Sequence, residues 1–286
     1  VIDPDNALRI YFRQDSVFGY SANELVQIPD QDPEIVALSR SQPLIQVGSS
    51  LGTLGGAEID SAEFYKGTFE YTLTSSDTIA DPIDVRLVIF NSDDKGAPFS
   101  VDMVLAPYDT ILVDSVLLDG VFFDLSNGGT RVNFLDVRLS VLNPGDLPNN
   151  VDLEVTFKLK ALQVERAIGF FGQRTEVAPQ GEFDLGINGL DNFAGGFFLN
   201  DPRVTLTITS TAGLPISVNS GFTGVNVANE GVALDPPDLE ILAAASVNQP
   251  VVSPFTIDKD NSNIVNFLAN IPNKVFYSAS ADLNPG

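Results

Sequence analysis

The chain has 286 residues, of which 38 are acidic and 15 basic, giving a net charge of −23, and it contains no His, Cys or Trp. Without imidazole or thiol there is no Ser-His-Asp triad, no thiol nucleophile, no disulfide and no iron–sulfur ligation, and most zinc and haem sites are excluded. The acidic excess argues against nucleic-acid binding, which needs Lys and Arg against phosphate, and against docking on an anionic lipid surface.

A hydrophobic fraction of 44%, with 20 Phe, separates the chain from a disordered acidic tail. The length allows about two domains. No apolar run approaches the ~20 residues of a membrane helix. No signal peptide precedes Val1, and the closing Asn284-Pro285-Gly286 completes no element. Both ends read as those of a processed product or of part of a longer chain. Lack of Cys suits the reducing cytosol and equally an envelope protein that avoids disulfides.

In chain order, Ala7–Phe12 reads as a strand, and Ser21–Val26 as a helical turn with Ser21 as N-cap. The Gly-rich stretch Gly48–Gly56 reads as a loop. Strict alternation then dominates, over Phe69–Thr74, Val85–Ile89, Val151–Lys160 and Val204–Thr209. Such strands show one face to a core and one to water, as in antiparallel sheets. Asn127-Gly128-Gly129 and Asn143-Pro144-Gly145-Asp146 punctuate them as turns. Ser262–Asn270 has apolar residues at helical spacing, a cap at Ser262 or Asn263 and a stop before Pro272, which predicts a short helix.

Internal repetition is the most informative feature. Asp84-Val85-Arg86-Leu87-Val88-Ile89-Phe90-Asn91 is echoed by Asp136-Val137-Arg138-Leu139-Ser140-Val141-Leu142-Asn143, and more weakly by Arg203–Ser210. A turn and then Pro98, Pro148 or Pro215 comes after each copy. Gly pairs, Gly128-Gly129 and Gly195-Gly196, precede the second and third. The unit predicted is a hairpin whose second strand starts with proline, where no ladder donor is lost. The expected fold is all-β: tandem antiparallel β-sandwich units, Ig-like or LEA2-like, with one or two short helices. The divisions expected are a strand and loop segment over 1–60, a first sandwich over 61–172 and a second over 173–286.

Few residues invite chemistry. Asp258, Asp260 and Ser262 alternate along Asp258-Lys259-Asp260-Asn261-Ser262-Asn263 and could ligate a hard cation such as calcium. An EF-type loop, however, has Gly where Asn263 stands and a distal Glu that is missing. A polar turn capping the next helix is the competing reading. Asp3-Pro4-Asp5-Asn6 and Asp30-Gln31-Asp32-Pro33-Glu34 read as acidic turns. Lys158 and Lys160 lie on the polar face of a strand, and Arg86 and Arg138 read as paired surface residues. Gly195-Gly196 lacks phosphate-loop spacing and reads as a bulge or tight turn.

The stretch Ile257–Leu268, with Pro272 and Tyr277 beyond it, and the opening Asp5–Phe12 resemble uncharacterised secreted or lipid-anchored envelope proteins of Bacteroidota. The resemblance implies an address at the cell envelope (periplasm, outer membrane or extracellular surface), a lipid anchor outside this chain, and no enzyme activity. The hairpin from Pro202 to Pro215 is distantly similar to late-embryogenesis type 2 β-sandwiches, although Asn200-Asp201-Pro202 carries one inserted residue. The favoured expectation is a non-enzymatic accessory subunit of an outer-membrane or surface assembly, with protein partners met at strand edges or by end-to-end stacking, and no cofactor unless calcium. A calcium- or carbohydrate-binding module and a carboxylate-dependent hydrolase are the alternatives.

Overall fold

Period-two alternation becomes strands throughout a computed structural model that describes residues 13, 15, 19, 21–178, 180–185, 199–246 and 249–285. Nearly all regular structure is antiparallel β, with two short helices, α1 (Ala22–Leu25) and α2 (Ile264–Ala269). The chain divides into compact units at Gly172/Gln173. The strand expected at Ala7–Phe12, the turn at Asp3–Asn6 and the Gly195-Gly196 pair lie outside the described residues.

The unit ending at Gly172 holds β1 (Glu34–Ser39), β2 (Leu44–Ser50), β3 (Glu58–Ser75), β4 (Ile83–Asp94), β5 (Ala97–Leu105), β6 (Ile111–Leu117), β7 (Phe122–Asp124), β8 (Phe134–Val141) and β9 (Asp152–Phe170). Four antiparallel pairs are nested inside one another: β4 with β5, β3 with β6, β2 with β8 and β1 with β9. This is one long hairpin rolled up. Pairing of β3 with β9 and of β4 with β8 closes the roll into two layers, ordered β1-β9-β3-β6 and β2-β8-β4-β5, and short β7 bridges β3 and β4. The expected sandwich is present, and its strand order is that of a jelly roll rather than of an immunoglobulin domain. Alternation places Phe69, Tyr71 and Leu73 of β3, Val85, Leu87 and Ile89 of β4 and Val155 and Phe157 of β9 in one core. Phe69 meets Phe99 of the opposite layer edge-on at 5.5 Å and stacks on Phe157 at 5.7 Å.

Segment 1–60, read from the sequence as standing apart, supplies β1 and β2 to these layers. Gly48 lies inside β2, so the predicted Gly-rich loop begins after Ser50. Long β9 has positive φ at two positions. Ala161 adopts φ +50° and donates its N–H to Asp30 Oδ1 at 2.8 Å. Gly169 has φ +148° where β9 crosses β3, and a Cβ there would overlap the Glu58 carbonyl oxygen.

The first two repeat copies are not two hairpins. Copy one forms a hairpin with β5, but copy two, β8, does not pair with the next strand in the chain. It pairs with copy one instead, Val85 opposite Val141, Leu87 opposite Leu139 and Ile89 opposite Val137. The two copies are thus related by a local two-fold axis through the Leu87–Leu139 pair. Their terminal asparagines obey it. Asn91 Oδ1 accepts from the Asp136 N–H at 2.8 Å while its Nδ2 donates to the Phe134 carbonyl at 2.7 Å. Asn143 Oδ1 accepts from the Asp84 N–H at 3.0 Å while its Nδ2 donates to the Pro82 carbonyl at 2.8 Å. Each asparagine ties the end of one copy to the start of the other. Asn91 also donates to the Asp124 carbonyl at 2.5 Å.

In the unit from Gln173, β10 (Arg174–Val177), β11 (Gly181–Asp184), β13 (Ile216–Val225), β14 (Gly231–Leu234), β15 (Leu239–Ile241) and β17 (Lys274–Leu283) form a six-stranded sheet centred on β17 and β13. The third copy, β12 (Arg203–Ser210), pairs with β16 (Val251–Asp258) as a separate ribbon and not with β13. A core of Leu234, Ile257, Ile264, Phe267 and Val275, backed by Val204, Leu206 and Phe222, joins sheet, ribbon and α2.

Removing the Asn91 side chain strands backbone groups that are shielded from water, at about 1–3 kcal/mol for each buried group left unsatisfied. Urea unfolding of Asn91→Ala is expected to show a loss of about 2–3 kcal/mol, and of the more exposed Asn143→Ala about 1 kcal/mol. Equal, negligible losses in both would show that the two-fold tie does not hold β4 to β8.

Candidate functional site

Asp258 ends β16, and Asp260 and Ser262 lie in the turn between it and α2. Asp258 and Ser262 are tied into local hydrogen bonds, and Asp260 joins them through its backbone N–H. Asp258 Oδ1 accepts the Asp260 N–H at 2.9 Å, Asn261 Oδ1 accepts the Asp258 N–H at 2.9 Å, and Ser262 Oγ donates to the Asp258 carbonyl at 2.6 Å. Ser262 Oγ also accepts the N–H of Ile264, the first residue of α2, at 3.3 Å, from the position before the N-cap. Asn263, the other cap candidate, makes no cap bond. Its side chain instead bridges the Asp235 N–H and the Ala233 carbonyl. Among the described residues no group of three or more His, Cys, Asp or Glu is arranged to hold a metal ion.

The turn Asp30–Glu34 braces β9 and β2, since Asp30 holds Ala161 and Glu34 Oε1 accepts from Ser49 Oγ at 2.9 Å. Lys158 and Lys160 converge on Glu70 of the neighbouring strand at 3.2 and 3.1 Å. Hydrogen bonds from Lys160 first and Lys158 second hold the Glu70 carboxyl below its usual range. Arg86 forks onto Asp102 of β5 at 2.5 and 2.9 Å and lowers that carboxyl in turn. Its repeat partner Arg138 lies over the Phe90 ring, 5.5 Å from the centroid.

Two surfaces remain. One is an open depression of about 460 Å³ in the second unit, walled by Asn219 and Ser220 of β13, Ser278 and Ser280 of β17, and Asp235 and Asp238 of the β14–β15 connection. Ser220 Oγ is buried there with no hydrogen-bond partner among the described residues. Both acids come from one connection.

The other is the edge of β6. Its only strand partner among the described residues is β3. The Thr110 carbonyl accepts from the Ser75 N–H, and the Leu118 N–H donates to the Gly67 carbonyl. The even-numbered residues of β6 therefore turn their N–H and C=O toward β3, and Ile111, Val113, Ser115 and Leu117 turn theirs outward. The same odd-numbered residues stand opposite Thr74, Thr72, Glu70 and Thr68 on the outer face of the layer. Ile111 is 57% exposed, Val113 68% and Leu117 66%. Sequence reasoning missed this strand because Ile111-Leu112-Val113-Asp114-Ser115-Val116-Leu117 does not alternate. A run apolar on both faces reads as buried. The one visible signal was the acid at its midpoint.

No known family matches the sequence, and no curated protein matches it. Among solved structures, the chain is similar to a protein inferred to be secreted from Parabacteroides distasonis, at 13% identity and a TM-score of 0.31 over 93% of this chain and 89% of that one. It is also similar to the T=1 nodavirus of Penaeus vannamei, at 11% identity and a TM-score of 0.26 over 90% and 98%. Both TM-scores are too low to establish a shared fold. Among the described residues no helix is long and apolar enough to cross a membrane.

Because Glu70 releases its proton more readily in the folded state, its contribution is complete above the usual glutamate value of 4.5 and fades as pH falls through the lowered folded value. Stability of the native chain should therefore decline more steeply below about pH 4.5 than that of Glu70→Gln, measured by thermal melts across pH. Parallel acid limbs in the two proteins would remove the Lys–Glu–Lys bridge as a stabilising element.

Proposed function

We propose that this chain is a non-enzymatic structural and interaction protein of the bacterial cell envelope. It acts as an accessory subunit of an outer-membrane or surface assembly, either the plug or scaffold of a secretion or uptake complex or a fibre subunit. The observation that carries the reading is the apolar edge of β6, uncovered among the described residues, since native sheets normally blunt such edges unless something binds them. The composition supports it: with no His or Cys, the chain works through surfaces more readily than through reactive groups. The envelope address rests on the resemblance of Asp5–Phe12 and Ile257–Leu268 to secreted and lipid-anchored proteins, and on an acidic surface that keeps a protein soluble. The test is mild extraction from the native cell envelope with chemical cross-linking and size exclusion. The expected result is elution well above the 30.6 kDa of the chain, with cross-links to other proteins. Elution as a free monomer without cross-links would overturn the reading.

The unpartnered Ser220 hydroxyl favours a second reading, a carbohydrate-binding module, because Ser220, Asn219, Asp235 and Asp238 offer the donors and acceptors that sugar hydroxyls use. On this reading a hexose raises the melting temperature of the native chain and not of Asp238→Asn, while calcium chloride raises neither. No shift with any hexose returns the depression to solvent, and a calcium-dependent rise abolished by Asp258→Asn restores the cation loop.

A further inference from the structure

We propose that the outer edge of β6 receives a basic, extended segment of another polypeptide, which adds to the β1-β9-β3-β6 layer as a further strand. The inference rests on the interaction reading above and names the surface and the chemistry of the partner.

Backbone geometry supplies the first argument. Four residues, Ile111, Val113, Ser115 and Leu117, direct their N–H and C=O groups away from β3, and of these the Ser115 N–H is already taken by the Asp114 carboxylate at 2.8 Å. An incoming strand finds that ladder already extended and rigid, so it bonds without ordering a loop. Side chains supply the second. Ile111, Val113 and Leu117 stand on the outer face, where alternate residues of an added strand would pack beside them at cross-strand distance. The apolar residues of the partner must therefore recur at every second position.

Charge decides the occupant. Between Lys95 and Arg131 the sequence has five acids and no base; Asp102 is paired with Arg86, which leaves Asp109, Asp114, Asp119 and Asp124. Asp109 and Asp119 flank β6, and Asp114 marks its midpoint, exposed, with one carboxylate oxygen held by its neighbour Ser115 N–H at 2.8 Å and the other by Tyr71 Oη at 3.3 Å. A second copy fits badly. The fully overlapped antiparallel register sets Asp114 against Asp114, and like charges directly opposite are destabilising. Two chains of −23 also repel at long range. An anionic bilayer is repelled for the same reason. A strand whose polar positions carry Lys or Arg meets the acids instead, and the acid at the midpoint then acts as a gate that rejects self-pairing and admits the basic partner.

The test uses the whole chain and a fluorescent seven-residue peptide alternating Val with Lys, matched to the length of β6. A peptide alternating Val with Glu is the control. Anisotropy should report binding of the Lys peptide, weakened by added salt, and no binding of the Glu peptide. Val113→Pro deletes an outward donor without touching the β3 ladder, and Val113→Lys keeps the donor while repelling the ligand. Each is expected to weaken binding about tenfold or more with an unchanged circular dichroism spectrum. Failure of the Lys peptide to bind, equal binding of both peptides, or full binding by Val113→Lys would overturn the proposal. A native dimer in sedimentation that Val113→Lys dissociates would also overturn it, in favour of a second copy. An assembly from the envelope that survives Val113→Lys sinks this edge and leaves the broader interaction reading intact.

Discussion

Pairing of β4 with β8 governs the architecture of the first unit. These strands carry the two closest copies of the internal repeat, and they meet about a two-fold axis at the Leu87–Leu139 pair. Asn91 and Asn143 fasten the two ends by equivalent bonds, each accepting one backbone N–H and donating to one carbonyl of the opposite copy. With β8 on one side of β4 and β5 on the other, and with β9 and β6 flanking β3, every inner strand is saturated. Among the described residues, the four strands of these layers left with an open side are then β1, β2, β5 and β6. An exposed β6 is a consequence of how the roll closes, not an accident of one strand.

Open strands in a sandwich are a hazard, and the sequence manages them unevenly. Pro98 lies near the start of β5, and Arg86 and Asp102 form a fork across that edge layer. Both features fit a strand protected from pairing. On β6 the corresponding device is Asp114 alone. A single acid among Ile111, Val113, Val116 and Leu117 lowers the tendency to self-associate: it adds a charge to the edge and takes up the outward Ser115 N–H, leaving the outward groups of Ile111, Val113 and Leu117 for a partner. The chain's charge acts in the same direction, since its few cations are largely engaged. Lys158 and Lys160 neutralise Glu70, and Arg166 reaches Glu63 at 2.6 Å. The Lys158–Glu70–Lys160 group on the neighbouring strands carries one net positive charge, so the negative charge that gives the edge its selectivity is that of Asp109, Asp114 and Asp119 on and beside β6 itself.

In the second unit a polar motif shapes the turn it sits in. Asp258, Asp260 and Ser262 have the alternation of a cation loop, yet their short-range bonds form the turn that launches α2. Asn263 reaches sideways to β14 and fixes the helix against the sheet. Asp and Asn side chains bond readily to nearby backbone, and here that local bonding takes Asp258 Oδ1 and Ser262 Oγ. By contrast, Ser220 is brought to its buried position by long-range pairing of β13 with β17, and its hydroxyl finds no partner among the described residues.

Local pattern alone settled the class of structure. Side-chain alternation is a property of an extended backbone, so Val85–Ile89, Val151–Lys160 and Val204–Thr209 announced strands wherever they paired, and helical spacing after Ser262 announced α2. Asn91 and Asn143 were visible as matching ends of a repeat. Which strands met was settled in three dimensions. The repeat suggested three hairpins, but β8 left its neighbour in the chain for β4, and β12 left β13 for β16. Closing a longer loop costs little more than closing a short one, so burial over the whole roll overrides neighbour pairing. For the same reason β6, apolar on both faces and therefore buried by any local criterion, came to lie at an edge: whether a strand has one neighbour or two is set by the chain as a whole.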